Sequence, residues 1–433
     1  MFKSIEYLYS LFIKHPHICT DTRNVSQGSI FFALKGENFN ANKFAEDAIK
    51  NGSSYAVIDE PEYKKNDNYI LVENVLDTLQ QLAAWHRKQL TIPIIGITGT
   101  NGKTTTKELI FSVLSKKYNT SATKGNFNNH IGVPLSILDI SKNIDIAIIE
   151  MGANHIGEIG ELCKIALPDF GIITNIGKAH IEGFGSLEGI VNTKKELYDS
   201  VRLSHGKVFV CKDSSLLLKL SEDIERLTYG VFPDSDCRGE IEESNPLLKV
   251  KWYCKSEKKV INISTKLVGY FNFENVMAAI CVGEYFGVCS EDIKNAIENY
   301  TPSNNRSQFI KTKKNTIIMD AYNANPSSME ASVRNFLQNS FDNKLAIIGD
   351  MLELGVDAEK EHKKIIDLLE NSDLNKVLLV GKHFSELKIS KKFTAFPGVN
   401  EAAEWIAKEG INGYNILIKG SRGIKLEKLL ELL

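Results

Sequence analysis

The feature that most constrains this chain is a glycine-rich stretch that follows a short apolar run. Residues 94–97 are mostly isoleucine and predict a buried parallel strand, and a helical pattern begins at Lys103 and Thr104. A strand, a glycine-rich turn and a helix N-terminus form a phosphate cradle, because backbone N–H groups and the helix dipole point at the anion. Lys103 would then reach the terminal phosphates, and the Thr104 hydroxyl would ligate magnesium. The residues predicted to hold a nucleotide here are Gly99, Thr100, Asn101, Gly102, Lys103, Thr104 and Thr105.

The spacing within this stretch departs from the strict phosphate-loop pattern. Five residues, rather than four, separate Gly96 from Gly102, so a turn that only connects a strand to a helix is the alternative. The position of Gly102-Lys103-Thr104 at the predicted strand-to-helix junction favours the phosphate loop. A second apolar strand, predicted over residues 144–150, ends in Glu150. A carboxylate at that place suits a nucleotide-bound metal, and a solvated strand end is the other explanation.

Length and composition limit the class of protein. A chain of 433 residues is too long for one ordinary core, so two or three domains are expected. The net charge of -2 gives no reason to expect binding to nucleic acid. No apolar run approaches the roughly 18 residues of a membrane span, and no secretory signal is apparent. The seven scattered cysteines indicate reduced thiols, so we expect a cytoplasmic protein.

Strand and helix patterns alternate along the chain, which predicts an α/β fold with three domains. We expect a small α/β N-terminal domain at residues 1–91, a central P-loop ATPase-like domain with a parallel sheet at 92–302, and a C-terminal Rossmann-like α/β domain at 303–433. Open α/β sheets place ligands beyond their strand C-termini. The candidates that follow predicted strands in the third domain are Asp320, Tyr322, Asn323, Asn325, Lys419, Ser421 and Arg422.

Three further features carry little information by pattern alone. Thr22 and Arg23 follow Asp21, and that sequence is typical of a capped turn. A lone histidine such as His180 is more often structural or exposed than a ligand. Lys194, in a run of charged residues on a predicted helix, would ordinarily lie on a solvated face.

Taken together, the motifs resemble those of the Mur ligases, the amide-forming enzymes of peptidoglycan precursor synthesis. The phosphate loop resembles their ATP loop, and the likeness continues in order through all three predicted domains. It is similar in particular to the member that joins D-alanyl-D-alanine to UDP-N-acetylmuramoyl-tripeptide. The other stretches that carry the resemblance are Gly125-Asn126-Phe127-Asn128-Asn129, Tyr322-Asn323-Ala324-Asn325-Pro326, Gly349-Asp350-Met351-Leu352-Glu353-Leu354-Gly355 and Lys419-Gly420-Ser421-Arg422.

The resemblance implies an ATP-dependent ligase, acting as a monomer on small molecules through an acyl phosphate. Thr22 and Arg23 would lie near the uridine diphosphate of the substrate, and Lys103 would hold the β- and γ-phosphates of ATP. Two Mg2+ ions are implied, one held by Thr104 and Glu150 and one by His180 with a carbamylated Lys194. The resemblance further implies an adenine contact at Asn275, a phosphate contact at Arg306 and a ribose contact at Asp320. The remaining substrate contacts would be Asn126, Asn128, Asn129, Tyr322, Asn323, Asn325, Lys419, Ser421 and Arg422.

The sequence leaves three other functions open. A sister ligase, MurE or folylpolyglutamate synthase, would share the ATP site and accept another amine or acid. A P-loop ATPase without ligase activity would release phosphate with no acceptor present. A nucleotide-binding scaffold would show no turnover with any pair of substrates.

Overall fold

The computed structural model describes residues 3–178, 181–374 and 376–433, and it has three successive units, each built on its own sheet. In the first unit four short parallel strands follow the order β1-β2-β5-β6. Its elements are α1 (Ile5–Phe12), β1 (Ile18–Cys19), β2 (Ile30–Phe32), β3 (Lys35–Gly36), β4 (Phe39–Asn40), α2 (Ala45–Lys50), β5 (Tyr55–Ile58), β6 (Tyr69–Leu71) and α3 (Val75–Gln89).

The second unit is a nine-stranded sheet in the order β15-β14-β13-β12-β11-β10-β7-β9-β8. Its strands run parallel from β8 to β13, and β14 and β15 add an antiparallel edge. The elements are β7 (Ile94–Thr98), α4 (Lys103–Leu114), β8 (Thr120–Ala122), α5 (Gly132–Leu138), β9 (Ile146–Glu150), α6 (Glu158–Ala166), β10 (Phe170–Ile173), α7 (Ile181–Phe184), α8 (Leu187–Leu203), β11 (Lys207–Cys211), α9 (Ser215–Leu220), β12 (Glu225–Gly230), β13 (Cys237–Ser244), β14 (Leu247–Cys254), β15 (Lys259–Val268), α10 (Phe273–Tyr285) and α11 (Ser290–Asn299).

The third unit is a six-stranded sheet in the order β16-β17-β21-β18-β19-β20, parallel except for the edge strand β16. Helices lie on both of its faces, since two separate apolar cores flank the sheet. The elements are β16 (Gln308–Lys311), β17 (Thr316–Asp320), α12 (Pro326–Gln338), β18 (Lys344–Gly349), α13 (Ala358–Glu370), β19 (Lys376–Val380), α14 (Lys382–Glu386), β20 (Phe393–Phe396), α15 (Val399–Glu409) and β21 (Asn415–Lys419).

The central strands form because they are covered on both sides. Every residue of β7 and of β9 is buried, and neither strand shows the polar alternation of a half-exposed sheet. Helices α4 and α10 pack together against this sheet through buried apolar side chains. The predicted α/β fold with a parallel central sheet is therefore confirmed. The strand predicted at 144–150 is shorter than expected, because β9 begins only at Ile146.

The first and the third unit each contact the central unit through buried residues. In α3, the guanidinium of Arg87 donates to the carbonyls of Ala166 and Leu167, each at 2.9 Å, and pairs with Asp169 at 2.8 Å. On the other side, Val268 at the end of β15 packs within an apolar core of the third unit. No helix within the described ranges has the length and apolar character that a membrane span requires.

Candidate active site

A cavity of about 1400 Å³ lies where the three units meet. The phosphate loop, the end of β9 and the start of α10 line it, and residues of the segment from Asp320 to Ser328 form the part that we call the wall of the third unit. Helix α3 of the first unit contributes Leu76, Asp77 and Gln80. One cavity thus collects residues that lie far apart in the chain.

Two glycines shape the phosphate loop, and no larger residue fits at either place. Gly99 has φ +143°, and a Cβ added to it would lie 2.0 Å from the Thr174 hydroxyl oxygen. Gly102 has φ +79°, and its Cβ would lie 2.5 Å from Oδ1 of Asn275. A side chain would be strained in such a left-handed conformation and would also collide. The glycine-rich turn is therefore a tightly packed structure rather than a loose connection.

Lys103 begins α4 and folds over this loop. Its Nζ donates to the carbonyl of Gly99 at 2.7 Å and to that of Thr100 at 3.2 Å. Desolvation lowers the pKa of the Lys103 amine, and Glu150 acts in the opposite direction. The amine therefore lies within the loop that would cradle phosphates, and its role in holding them stays a prediction.

Glu150 is not a solvated strand end, because its side chain is only 1% exposed. Its Oε1 accepts hydrogen bonds from the Thr104 hydroxyl at 3.1 Å and from Nδ2 of Asn128 at 2.8 Å. The structure thus brings together the two residues predicted to share a metal, with a third predicted site residue beside them. Adjacent oxygens around octahedral Mg2+ lie about 2.9 Å apart, so the Thr104 and Glu150 oxygens fit such an ion.

A buried lysine that no sequence motif indicated lies next to Glu150. Lys107, one turn after Lys103 in α4, is 3% exposed, and its Nζ is 3.6 Å from Oε2 of Glu150. The amine donates to the carbonyl of Thr123 at 2.8 Å, and the Thr123 hydroxyl accepts from the Glu150 backbone N–H at 3.0 Å. The only signal in the sequence was a lysine on the otherwise apolar face of a helix.

The second predicted metal site is only partly described. His180 lies outside the described residues. Lys194 lies on α8 with 3% of its surface exposed, and its Nζ is 5.5 Å from the centre of the Phe184 ring. Burial, together with the nearby charge of Lys103, lowers the pKa of Lys194 from 10.5 to about 7. The expectation of a solvated face fails for Lys194, although the neighbouring Lys195 is paired with Asp199 at 2.5 Å.

No three His, Cys, Asp or Glu side chains converge as a metal centre among residues 3–178, 181–374 and 376–433. Any Mg2+ at Thr104 and Glu150 would therefore take most of its remaining ligands from water and phosphate oxygens, as this ion commonly does.

The wall formed by the third unit is held by a buried lysine. Nζ of Lys419 lies 2.8 Å from Oδ2 of Asp320 and donates to the carbonyl of Asn323 at 3.2 Å. The Arg306 guanidinium stacks 3.6 Å from the centre of the Tyr322 ring. All five residues line the cavity. Asp320, Tyr322, Asn323 and Lys419 lie at or just after strand ends, as predicted, whereas Arg306 precedes β16.

Other predicted site residues are found in varied surroundings. Asn126, Asn129, Asn275 and Asn325 also line the cavity, and Oδ1 of Asn275 accepts from the Thr106 hydroxyl at 3.0 Å. In contrast, the Ser421 hydroxyl is buried, donating to the carbonyl of Ala324 at 3.2 Å and accepting from the Leu352 N–H at 3.0 Å. Arg422 lies outside the cavity lining, with its guanidinium 5.4 Å from the Tyr322 ring centre.

Thr22 and Arg23 lie in the first unit, outside the cavity lining. Arg23 is 86% exposed and pairs with Asp21 at 2.6 Å, and the Asp21 carboxylate caps the turn by accepting from the Arg23 N–H. The capped turn expected from the pattern is present, and a role in binding uridine diphosphate stays a prediction.

Comparison with known proteins gives a consistent answer. The Mur ligase middle domain matches residues 97–283, and the Mur ligase glutamate ligase domain matches residues 305–422. The UDP-N-acetylmuramoyl-tripeptide–D-alanyl-D-alanine ligase of Bacillus subtilis is 34% identical, with 96% of this chain and 92% of that protein covered.

Solved structures agree over the same length. MurF from Acinetobacter baumannii has a TM-score of 0.86 at 32% identity, covering 96% of this chain and 92% of that one. MurF from Thermotoga maritima in complex with ADP has a TM-score of 0.84 at 27% identity, covering 96% of each chain. These similarities extend through all three units, and the chain therefore belongs to the Mur ligase family.

Proposed function

We propose that this chain joins D-alanyl-D-alanine to UDP-N-acetylmuramoyl-tripeptide at the expense of ATP, releasing ADP and phosphate. The observation that carries the proposal is a single cavity lined by three groups of residues. They are the phosphate loop, the hydrogen-bonded pair Thr104 and Glu150, and the wall of the third unit, where Lys419 pairs with Asp320. Full-length relatives bear the name of this ligase, and ADP occupies a related structure. Both support ATP and these two small molecules as the substrates.

The reaction needs an activated acid, because a carboxylate is a poor electrophile. An oxygen of the tripeptide carboxylate attacks the γ-phosphorus of ATP, ADP leaves, and an acyl phosphate results. The dipeptide amine then attacks the acyl carbon, loses a proton, and phosphate leaves from the tetrahedral intermediate. The chain's main tasks are to position these groups and to balance their charge. Lys103 and the loop N–H groups would hold the phosphates during the first step.

The residues near Glu150 fit a magnesium ion. Thr104 and Glu150 would hold it, and Asn128 would keep Oε1 of Glu150 in place through its hydrogen bond of 2.8 Å. When bound, Mg2+ would supply positive charge to the phosphate oxygens that approach one another. A second ion would be held by His180 with the support of Lys194.

Carbamylation of Lys194 is part of the proposal. Its buried amine, with a pKa lowered to about 7, is largely uncharged at slightly alkaline pH. A neutral amine attacks the carbon of CO2, loses a proton and becomes a carbamate anion. That change would turn a buried cation into a group with carboxylate-like oxygens.

The N-terminal unit would bind the uridine diphosphate of the acceptor near Thr22 and Arg23. The cavity reaches α3 of that unit, so a substrate anchored there could extend its peptide toward the phosphate loop. We further propose that the enzyme works as a cytoplasmic monomer, in keeping with its small polar substrates.

The deciding experiment is an ADP-release assay with UDP-muramoyl tripeptide and ATP, with and without D-alanyl-D-alanine. The proposal expects rapid release only when all three are present, together with formation of the pentapeptide product. Release that is equally fast without the dipeptide would indicate an ATPase, and turnover only with another amine or acid would indicate a sister ligase. Absence of turnover with every pair would favour a scaffold.

Variants sharpen this test. Lys103→Ala and Glu150→Ala should each abolish ligation, because they remove the phosphate-holding amine and a metal ligand. Lys249→Ala is the matched control, since Lys249 lies exposed on β14 and pairs with Glu243 at 2.6 Å. Near-normal turnover in either site variant would contradict the corresponding role.

A further inference from the structure

One side chain joins the third unit to the phosphate loop through an amide–amide hydrogen bond. Nδ2 of Asn325 donates to Oδ1 of Asn101 at 2.8 Å, across 224 residues of sequence. The other end of the same amide caps α12, because Oδ1 of Asn325 accepts from the Ser328 N–H at 2.9 Å. Both polar atoms of this side chain are therefore engaged within the protein.

The partner of this bond is rigidly held. The Asn101 backbone N–H donates to Oδ1 of Asn175 at 2.9 Å, and its carbonyl accepts from the Thr174 hydroxyl at 2.6 Å. Both groups follow the end of β10, beside the loop. The Asn101 side chain thus projects from a fixed point of the loop that would hold the triphosphate.

Asn325 is equally fixed to the wall of the third unit. The Ser328 hydroxyl lies 3.1 Å from the Asn325 N–H, which donates to it and completes a capping box. Two residues earlier, the Asn323 carbonyl is held by Lys419, which also pairs with Asp320. If Asn325 moved relative to the loop, the residues of the wall that are bonded to it and to Lys419 would therefore move as well.

We propose that Asn325 is a positioning residue. Its hydrogen bond to Asn101 fixes the position of the third unit relative to the phosphate loop, for the ligation proposed above. In the proposed reaction the nucleotide would lie against the loop, and the incoming amine would approach from the wall. A displacement of about 1 Å between reacting groups can cost on the order of a hundredfold in rate. A second bond crosses the same boundary, since the Lys178 N–H donates to the Ser327 hydroxyl at 3.1 Å, but it does not involve the loop itself.

The test is Asn325→Ser, because serine caps a helix about as well as asparagine and is too short to reach Asn101. The expected result is unchanged thermal stability, ADP affinity within about twofold, and a kcat about tenfold lower. Ser214→Asn is the matched control, because it exchanges the same two capping residues at the start of α9. Ser214 accepts from the Leu217 N–H and lies outside the cavity lining, so this variant should change none of these quantities.

A double-mutant cycle isolates the bond. If Asn101 and Asn325 act through each other, Asn101→Ala combined with Asn325→Ser should be no slower than the slower single variant, within about twofold. Effects on kcat that multiply instead would overturn the proposal. This arm presumes that the wild-type chain ligates, which the ADP-release assay establishes separately.

Hydrogen–deuterium exchange tests the same bond without relying on activity. In Asn325→Ser, amides of residues 99–105 and 173–178 should exchange several-fold faster, while the Ser328 amide stays protected by the serine cap. Unchanged exchange in the loop would refute the coupling. Faster exchange at Ser328 as well would mean that α12 had frayed, and the positioning role would then be rejected in favour of a helix-capping one.

Discussion

Replacing Lys107 by methionine should destabilise the central unit strongly. The side chains of Lys107 and Glu150 are 4% and 1% exposed, so neither charge can turn to solvent when its partner is lost. Removing one member of a buried pair typically costs about 3–5 kcal/mol of unfolding free energy. Glu150 would keep its bonds from Thr104 and Asn128, which lowers the cost. The Thr123 carbonyl would lose its donor, which adds about 1–3 kcal/mol.

From the balance of these effects, we expect Lys107→Met to lower the unfolding free energy of the central unit by about 3–4 kcal/mol. Three tryptophans make the measurement specific, since Trp85 lies in α3, Trp252 in β14 and Trp405 in α15. With Trp85 and Trp405 replaced by phenylalanine, urea unfolding followed by the buried Trp252 reports the central unit alone. This matters because a chain with three units need not unfold in one step.

The double variant Lys107→Met with Glu150→Gln completes this experiment. With both charges removed, the double variant should be more stable than Lys107→Met alone, because no uncompensated buried charge remains. Two results would refute the idea that the pair is held by charge. One is a loss of unfolding free energy below about 1 kcal/mol in Lys107→Met, and the other is a double variant that is no more stable than Lys107→Met.

Three other predictions concern Lys194, Gly102 and Arg87. Lys194 is neutral in the folded chain above pH about 7 but charged in the unfolded chain up to about 10.5. The unfolded chain thus binds more protons, and unfolding free energy in CO2-free buffer should rise from pH 7 to 10 by up to about 1.4 kcal/mol per unit, a slope that Lys194→Met removes. Gly102→Ala should weaken ADP binding at least about tenfold by calorimetry, because of its φ of +79° and the nearby Asn275. Arg87→Met should lower the unfolding free energy by about 2–4 kcal/mol, because the Ala166 and Leu167 carbonyls lose their hydrogen-bond donor. Urea unfolding monitored by Trp85 fluorescence measures this loss.

Much of the fold could be predicted from the sequence, because the central strands are short apolar runs followed by glycines or polar strand ends. Residues 94–106 carried a strand, a turn and a helix start in the order that the structure has. The edge strands β16 and β20 were missed. Both are four residues long and only partly buried, so they lack the continuous apolar run that marks a central strand.

The site was predictable where a motif is local and not where it depends on packing. The loop residues and Glu150 each lie beside a strand that the pattern reveals. Lys194 was expected on a solvated face because it lies among charges, yet the helix turns Thr193 and Lys194 inward and Lys195 outward. The Asn101–Asn325 bond joins residues 224 positions apart, and a single sequence carries no signal for it.

The antiparallel edge of the central sheet gives the third unit a second kind of attachment. Val268, at the end of β15, is buried in an apolar core of that unit, some distance along the chain from the polar contact at Asn101. Apolar packing has no preferred direction, whereas a hydrogen bond weakens steeply when its angle changes. The packing at Val268 would therefore tolerate a small change in the angle between the two units, whereas the hydrogen bond between Asn325 and Asn101 would not.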